Sequence, residues 1–127
     1  MKIQNRKKIG VLLIILCMAI AVNAMAITIT VNRYAKIGSE AIREGTINFD
    51  SSYTKDTGEA FYPSDVLLNN IRWMDIPPMT DASGNLKLFE WNDASNVVRM
   101  YDASGHVTEV SGNMSHVSGV KFRAIGY

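Results

Sequence analysis

Ile27, Ile29 and Val31 alternate with Thr28, Thr30 and Asn32, a period of two built from β-branched residues that predicts a half-buried strand. Gly38 and Ser39 interrupt it. From Ala41 to Phe49 the alternation resumes, with Ile47 and Phe49 on one face, Thr46 and Asn48 on the other, and Gly45 as a candidate bulge. The stretch Phe49 to Phe61 then turns polar. Asp50, Ser51 and Ser52 bond readily to nearby backbone and favour turns, while Tyr53, Phe61 and Tyr62 supply rings able to pin a long loop onto a core. This predicts an ordered loop rather than a linker. Val66 to Ile76 fits neither period; one helical turn capped by Ser64 and a buried strand remain open, and Pro77-Pro78 ends the segment.

The C-terminal third carries a near-repeat, Asp81-Ala82-Ser83-Gly84, Asp93-Ala94-Ser95-Asn96 and Asp102-Ala103-Ser104-Gly105. Aspartate first and glycine or asparagine last is the preference of a type I turn followed by a left-handed residue, so Gly105 is expected at positive φ. The turns separate Leu86–Trp91, Val97–Tyr101 and Val107–Val110, which read as a β-meander. A polar loop over Gly112–Ser118 follows, and Val120 to Ile125 alternates as a last strand, either paired inside a sheet or offered at an edge.

About six short strands predict an all-β fold over residues 27–127, a single small antiparallel β-sandwich or partly closed barrel with a C-terminal meander. Trp73, Trp91, Phe89, Phe122 and the methionines are the expected core. An N-terminal apolar, helical segment precedes this domain. Lys2, Arg6, Lys7 and Lys8 lead into the fourteen-residue apolar run Ile9 to Val22, and Ala24 and Ala26 stand where a signal peptidase reads small residues. Fourteen residues fall short of the roughly 20 that cross a bilayer, which ranks a cleaved signal over a retained membrane anchor for residues 1–26. Translation from Met25, leaving the first 24 residues unmade, is a third reading.

Charge narrows the function classes. Residues 27–127 hold nine Lys and Arg against twelve Asp and Glu, a net −3, which argues against nucleic-acid binding. Cys17 is the only cysteine, excluding an intramolecular disulfide and a thiolate metal cluster. His106 and His116 have no acid or cysteine at ligand spacing and read as surface histidines. Asp50, Asp56 and Glu59 put three acids in one loop without the regular spacing and central glycine of a calcium loop. Neither a Gly-x-Ser-x-Gly elbow nor a phosphate loop occurs, Asp75 and Glu90 have nothing to bring them together, and Asn113-Met114-Ser115 fits a glycosylation acceptor only formally. Catalysis and cofactors are not expected.

Two stretches carry a resemblance. The run from Met25, Ala26, Ile27 and Thr28 to Gly38, with Phe49-Asp50-Ser51-Ser52-Tyr53, Thr57-Gly58-Glu59 and Pro63-Ser64-Asp65, resembles a family of small tailed-phage virion structural proteins. Lys55 and Asp56, the lone glycine at 58 and residues 1–24 depart from that family's pattern. The resemblance implies a non-enzymatic virion protein, foremost a capsid decoration or cement protein bound to other virion proteins as an oligomer, a trimer favoured. It also singles out Phe49, Asp50, Ser51, Ser52, Tyr53, Gly58 and Glu59 as a structural motif. The alternative, from the N-terminal pattern, is a secreted, periplasmic or membrane-anchored bacterial β-domain that binds an extracytoplasmic partner.

Overall fold

A computed structural model describes residues 27–127, so the reading of residues 1–26 as signal or anchor lies outside the described residues. The strands are β1 (Ile27–Ile37), β2 (Glu40–Phe49), β3 (Glu59–Ala60), β4 (Ile71–Asp75), β5 (Met79–Thr80), β6 (Leu86–Asn92), β7 (Val97–Asp102), β8 (Thr108–Glu109) and β9 (Val120–Gly126). A 3₁₀ turn, Pro63–Val66, lies between β3 and β4. The expected all-β fold is present as two packed antiparallel sheets, which makes it a sandwich. The first has the order β1-β2-β9-β4. The second has the order β3-β7-β6-β5, with β8 added to β7 beyond the end of β3.

The meander is formed by β6, β7 and β8. The last strand leaves it and inserts between β2 and β4, where both of its edges are paired. Inward-facing Ile47, Val120 and Phe122 from the first sheet meet Val98 and Met100 from the second, all nearly inaccessible to water. Phe49 stacks on Phe89 across the sandwich at 5.9 Å, and Phe61 meets Phe122 edge-on at 5.3 Å. Each such buried side chain stabilises the fold by about 1.5–3 kcal/mol relative to exposure, the main term holding the sheets together.

Several expectations need correcting. Trp73 is outside the core, 49 % exposed, and Phe89 and Trp91 are only half-buried against it. A register shift between Ile71 and Trp73 gives the reason, because the irregularity at Arg72 leaves Ile71 inward and turns Trp73 outward. The bulge expected at Gly45 lies on the opposite strand, between Val31 and Arg33. Gly45 is needed there because a Cβ would stand 1.9 Å from the Thr30 carbonyl oxygen. The ambiguous segment fits neither alternative as expected: the 3₁₀ turn at Pro63–Val66 ends where the segment begins, and the strand at Ile71–Asp75 buries only Ile71. Tyr62 rather than Ser64 precedes the turn, its N–H donating to Asp65 Oδ2 at 2.7 Å. Gly84 (φ 85°) and Asn96 (φ 52°) take the left-handed conformation, whereas Gly105 does not, so the third turn is built differently from the first two.

Candidate functional site

The motif Phe49 to Glu59 forms a strap from the first sheet to the second. Phe49 ends β2 and donates its N–H to the Val117 carbonyl at 3.0 Å. Asp50 accepts Ser52 N–H at 2.8 Å and Ser52 Oγ–H at 2.9 Å, a local turn that leaves Ser51 and Ser52 exposed. Tyr53 is buried, exchanges two backbone hydrogen bonds with Gly112, and accepts Met100 N–H at its hydroxyl while donating to Glu109 Oε1, both at 2.9 Å. Burial pushes the Tyr53 hydroxyl far above the ordinary tyrosine range. Gly58 (φ 70°) packs where a Cβ would lie 2.8 Å from the Val98 carbonyl oxygen. Glu59 is buried and accepts Thr54 N–H at 2.9 Å; desolvation raises its carboxyl above the usual range.

Phe49, Asp50, Ser52, Tyr53 and Glu59 thus make contacts within the fold. Asp50, Asp56 and Glu59 serve separate contacts, and Asp56 lends its carbonyl to Arg99 at 2.9 Å. Among the described residues no group of three or more His, Cys, Asp or Glu is arranged to hold a metal ion. Asp75 and Glu90 lie on different sheets, Asp75 on β4 and Glu90 on β6, where it accepts a hydrogen bond from the Tyr101 hydroxyl.

A charged cluster that sequence reasoning missed clasps the second sheet. Asp81, with a fully buried side chain, accepts Ser83 and Asn85 N–H groups at Oδ1, both at 2.9 Å. Its Oδ2 faces Lys87 Nζ at 3.6 Å and His116 Nε2 at 3.4 Å. Lys87 is buried too and donates to Asp102 Oδ2 at 3.1 Å. Backbone donation from Asn85 leads the effects lowering the Asp81 carboxyl, and donation from Ser104 leads those lowering Asp102; Lys87 adds to both. The available signal was periodicity, since Lys87 belongs to the same alternating set as Phe89 and Trp91 and so points toward the core.

The outward face of the first sheet is organised differently. Strand register places Arg33 (β1), Glu44 (β2), Arg123 (β9) and Asp75 (β4) side by side, a row alternating in sign across all four strands. Glu44 accepts Arg33 Nη1–H at 3.0 Å and Arg123 Nε–H at 2.6 Å, and those donors hold its carboxyl below the usual range. Among the described residues Asp75 stands in no ion pair. The row borders a shallow recess of about 430 Å³ that also includes Asn32 and Lys121. Two residues along each strand, Ala35, Ile42, Ile125 and Trp73 form a parallel apolar row. Ile37, 68 % exposed, extends it beside the Arg72–Glu40 ion pair.

An apolar row beside fixed charges is suited to passive docking, with the apolar side chains providing area and the charges setting orientation. No family model, curated protein or solved structure matches the chain.

Proposed function

We propose that this chain is a non-enzymatic virion structural protein of the tailed-phage type, acting as a capsid decoration or cement protein that docks through the outward face of its first sheet. The observation that carries the docking reading is the registered apolar row Ala35–Ile42–Ile125–Trp73 beside the alternating charges. A half-exposed tryptophan within a rim of arginines is the composition that interface centres favour. The viral assignment is supported by the Phe49–Glu59 resemblance, whose residues form the strap closing the sandwich.

The second reading, a secreted or membrane-anchored β-domain, is favoured by the basic residues, apolar run and paired alanines of residues 2–26. Isolation of particles, membranes and extracellular fluid from the native source, with intact-mass determination of the chain in each, tests both. Recovery with particles and a chain starting at Ala26 is the expected result for translation from Met25 with its initiator removed. Recovery only from membranes or extracellular fluid, with the chain intact or beginning at Ile27, overturns the virion reading.

A further inference from the structure

The outward face of the first sheet is complementary to itself when its strand order is reversed. Across β1, β2, β9 and β4 the charged row reads Arg33, Glu44, Arg123, Asp75, which is plus, minus, plus, minus. A second copy laid face to face about a two-fold axis parallel to the strands presents the same row from right to left. Arg33 then faces Asp75 of the other copy, and Glu44 faces the other Arg123. A two-fold axis across the strands at the level of this row would instead set Arg33 on Arg33 and Glu44 on Glu44, which like-charge repulsion disfavours.

The apolar row obeys the same reversal. Ala35, the smallest member, falls opposite Trp73, the largest, and Ile42 falls opposite Ile125. Size and charge are therefore matched by one operation, which an unrelated partner would not require. Asp75 lacks an ion-pair partner within the described residues, while Arg33 and Arg123 have side chains 65 % and 54 % exposed.

We propose that two copies of this chain pair through the outward faces of their β1-β2-β9-β4 sheets about a two-fold axis parallel to the strands. The pairing is isologous, so each contact occurs twice and the assembly closes at two. It rests on the reading of this face as a docking surface, names a second copy as its occupant away from the particle, where the pair must part before the face can meet a capsid, and replaces the trimer implied by the resemblance. Facing sheets retain the tilt of about 30° that sheet twist imposes, with Ile42 and Ile125 nearest the axis.

Sedimentation velocity of the full chain at tens of micromolar, in non-ionic detergent where residues 1–26 require it, tests the arrangement. The unsubstituted chain is expected as a dimer, and Trp73→Glu as a monomer with an unchanged far-ultraviolet spectrum. Asp75→Arg and Arg33→Asp are each expected to weaken self-association at least tenfold. Mixed with one another they form a heterodimer, because each restores opposite charges across both symmetry-related contacts; Arg33→Asp/Asp75→Arg in one chain likewise dimerises. A monomeric unsubstituted chain at about 100 μM, a dimer indifferent to Trp73→Glu, or single variants that do not associate on mixing overturns the pairing. Particle binding is scored separately: a monomeric chain that leaves particles on Trp73→Glu sinks only the pairing, whereas a dimeric chain that stays on particles after that change sinks the docking reading.

Discussion

Two ionic arrangements built from the same kinds of residue occupy opposite sheets, and their surroundings give them opposite consequences. Lys87, Asp81 and Asp102 join a turn, a strand and the end of a neighbouring strand, with Lys87 and Asp81 removed from water. Arg33, Glu44 and Arg123 span three strands with both arginines more than half exposed. In the first case, deleting one partner leaves a buried charge without compensation. In the second, water replaces the lost partner, and the pair contributes little to stability. The buried cluster is therefore a fastening of the fold, and the exposed row is free to be selected for what it meets.

The largest effect that would test this contrast comes from Lys87→Ala. It is expected to lower the melting temperature by more than about 10 °C, since Asp81 remains buried beside a cavity; a drop of only a few degrees would erase the distinction between the sheets. Tyr53→Phe comes next, at about 1–3 kcal/mol in chemical denaturation, because the buried Met100 N–H loses its acceptor and Glu109 loses its donor.

Acid sharpens the comparison further. The folded Asp81 and Asp102 carboxyls are held below their ordinary value of 3.8, so the folded state binds fewer protons there than the unfolded chain. Their stabilisation is complete above the unfolded value and is lost as pH falls through it toward the folded values. Asp102→Asn should flatten the fall in melting temperature below about pH 4. Glu59 has the opposite sign: its raised carboxyl contributes stability below the ordinary 4.5 that is lost as pH rises through the folded value. Glu59→Gln, which keeps an acceptor for Thr54 N–H, should raise the melting temperature at pH 7 relative to the parent.

The smallest effect is expected from Arg33→Gln. Loss of its exposed pair with Glu44 should shift the melting temperature by less than about 4 °C, and less still in 1 M salt, where screening acts within about 3 Å. A large, salt-insensitive loss would show that the row fastens the fold after all.

Much of this architecture was legible in local pattern. β1, β2 and β9 follow from two-residue alternation, and the turns after Thr80 and Asn92, with β6 and β7 between and after them, follow from the Asp-first tetrapeptides. The ordered strap was readable from Tyr53 and Phe61 because isolated rings in a polar loop need somewhere dry to go. Trp73 was misplaced by the same reasoning. Its hydrophobicity pointed inward, but the irregularity at Arg72 determines which face it occupies, and that irregularity exists only in pairing with β9.

By itself the sequence determined the all-β class, most strand positions and the segments that turn, since these depend on side chains a few residues apart. Only tertiary structure decided that β9 lies between β2 and β4, that Lys87 is compensated from two other segments, and that Arg33, Glu44, Arg123 and Asp75 form one row. Those residues are distant along the chain and become neighbours only through sheet pairing. Long-range register, which no local period encodes, therefore creates both the buried clasp and the face available to a partner.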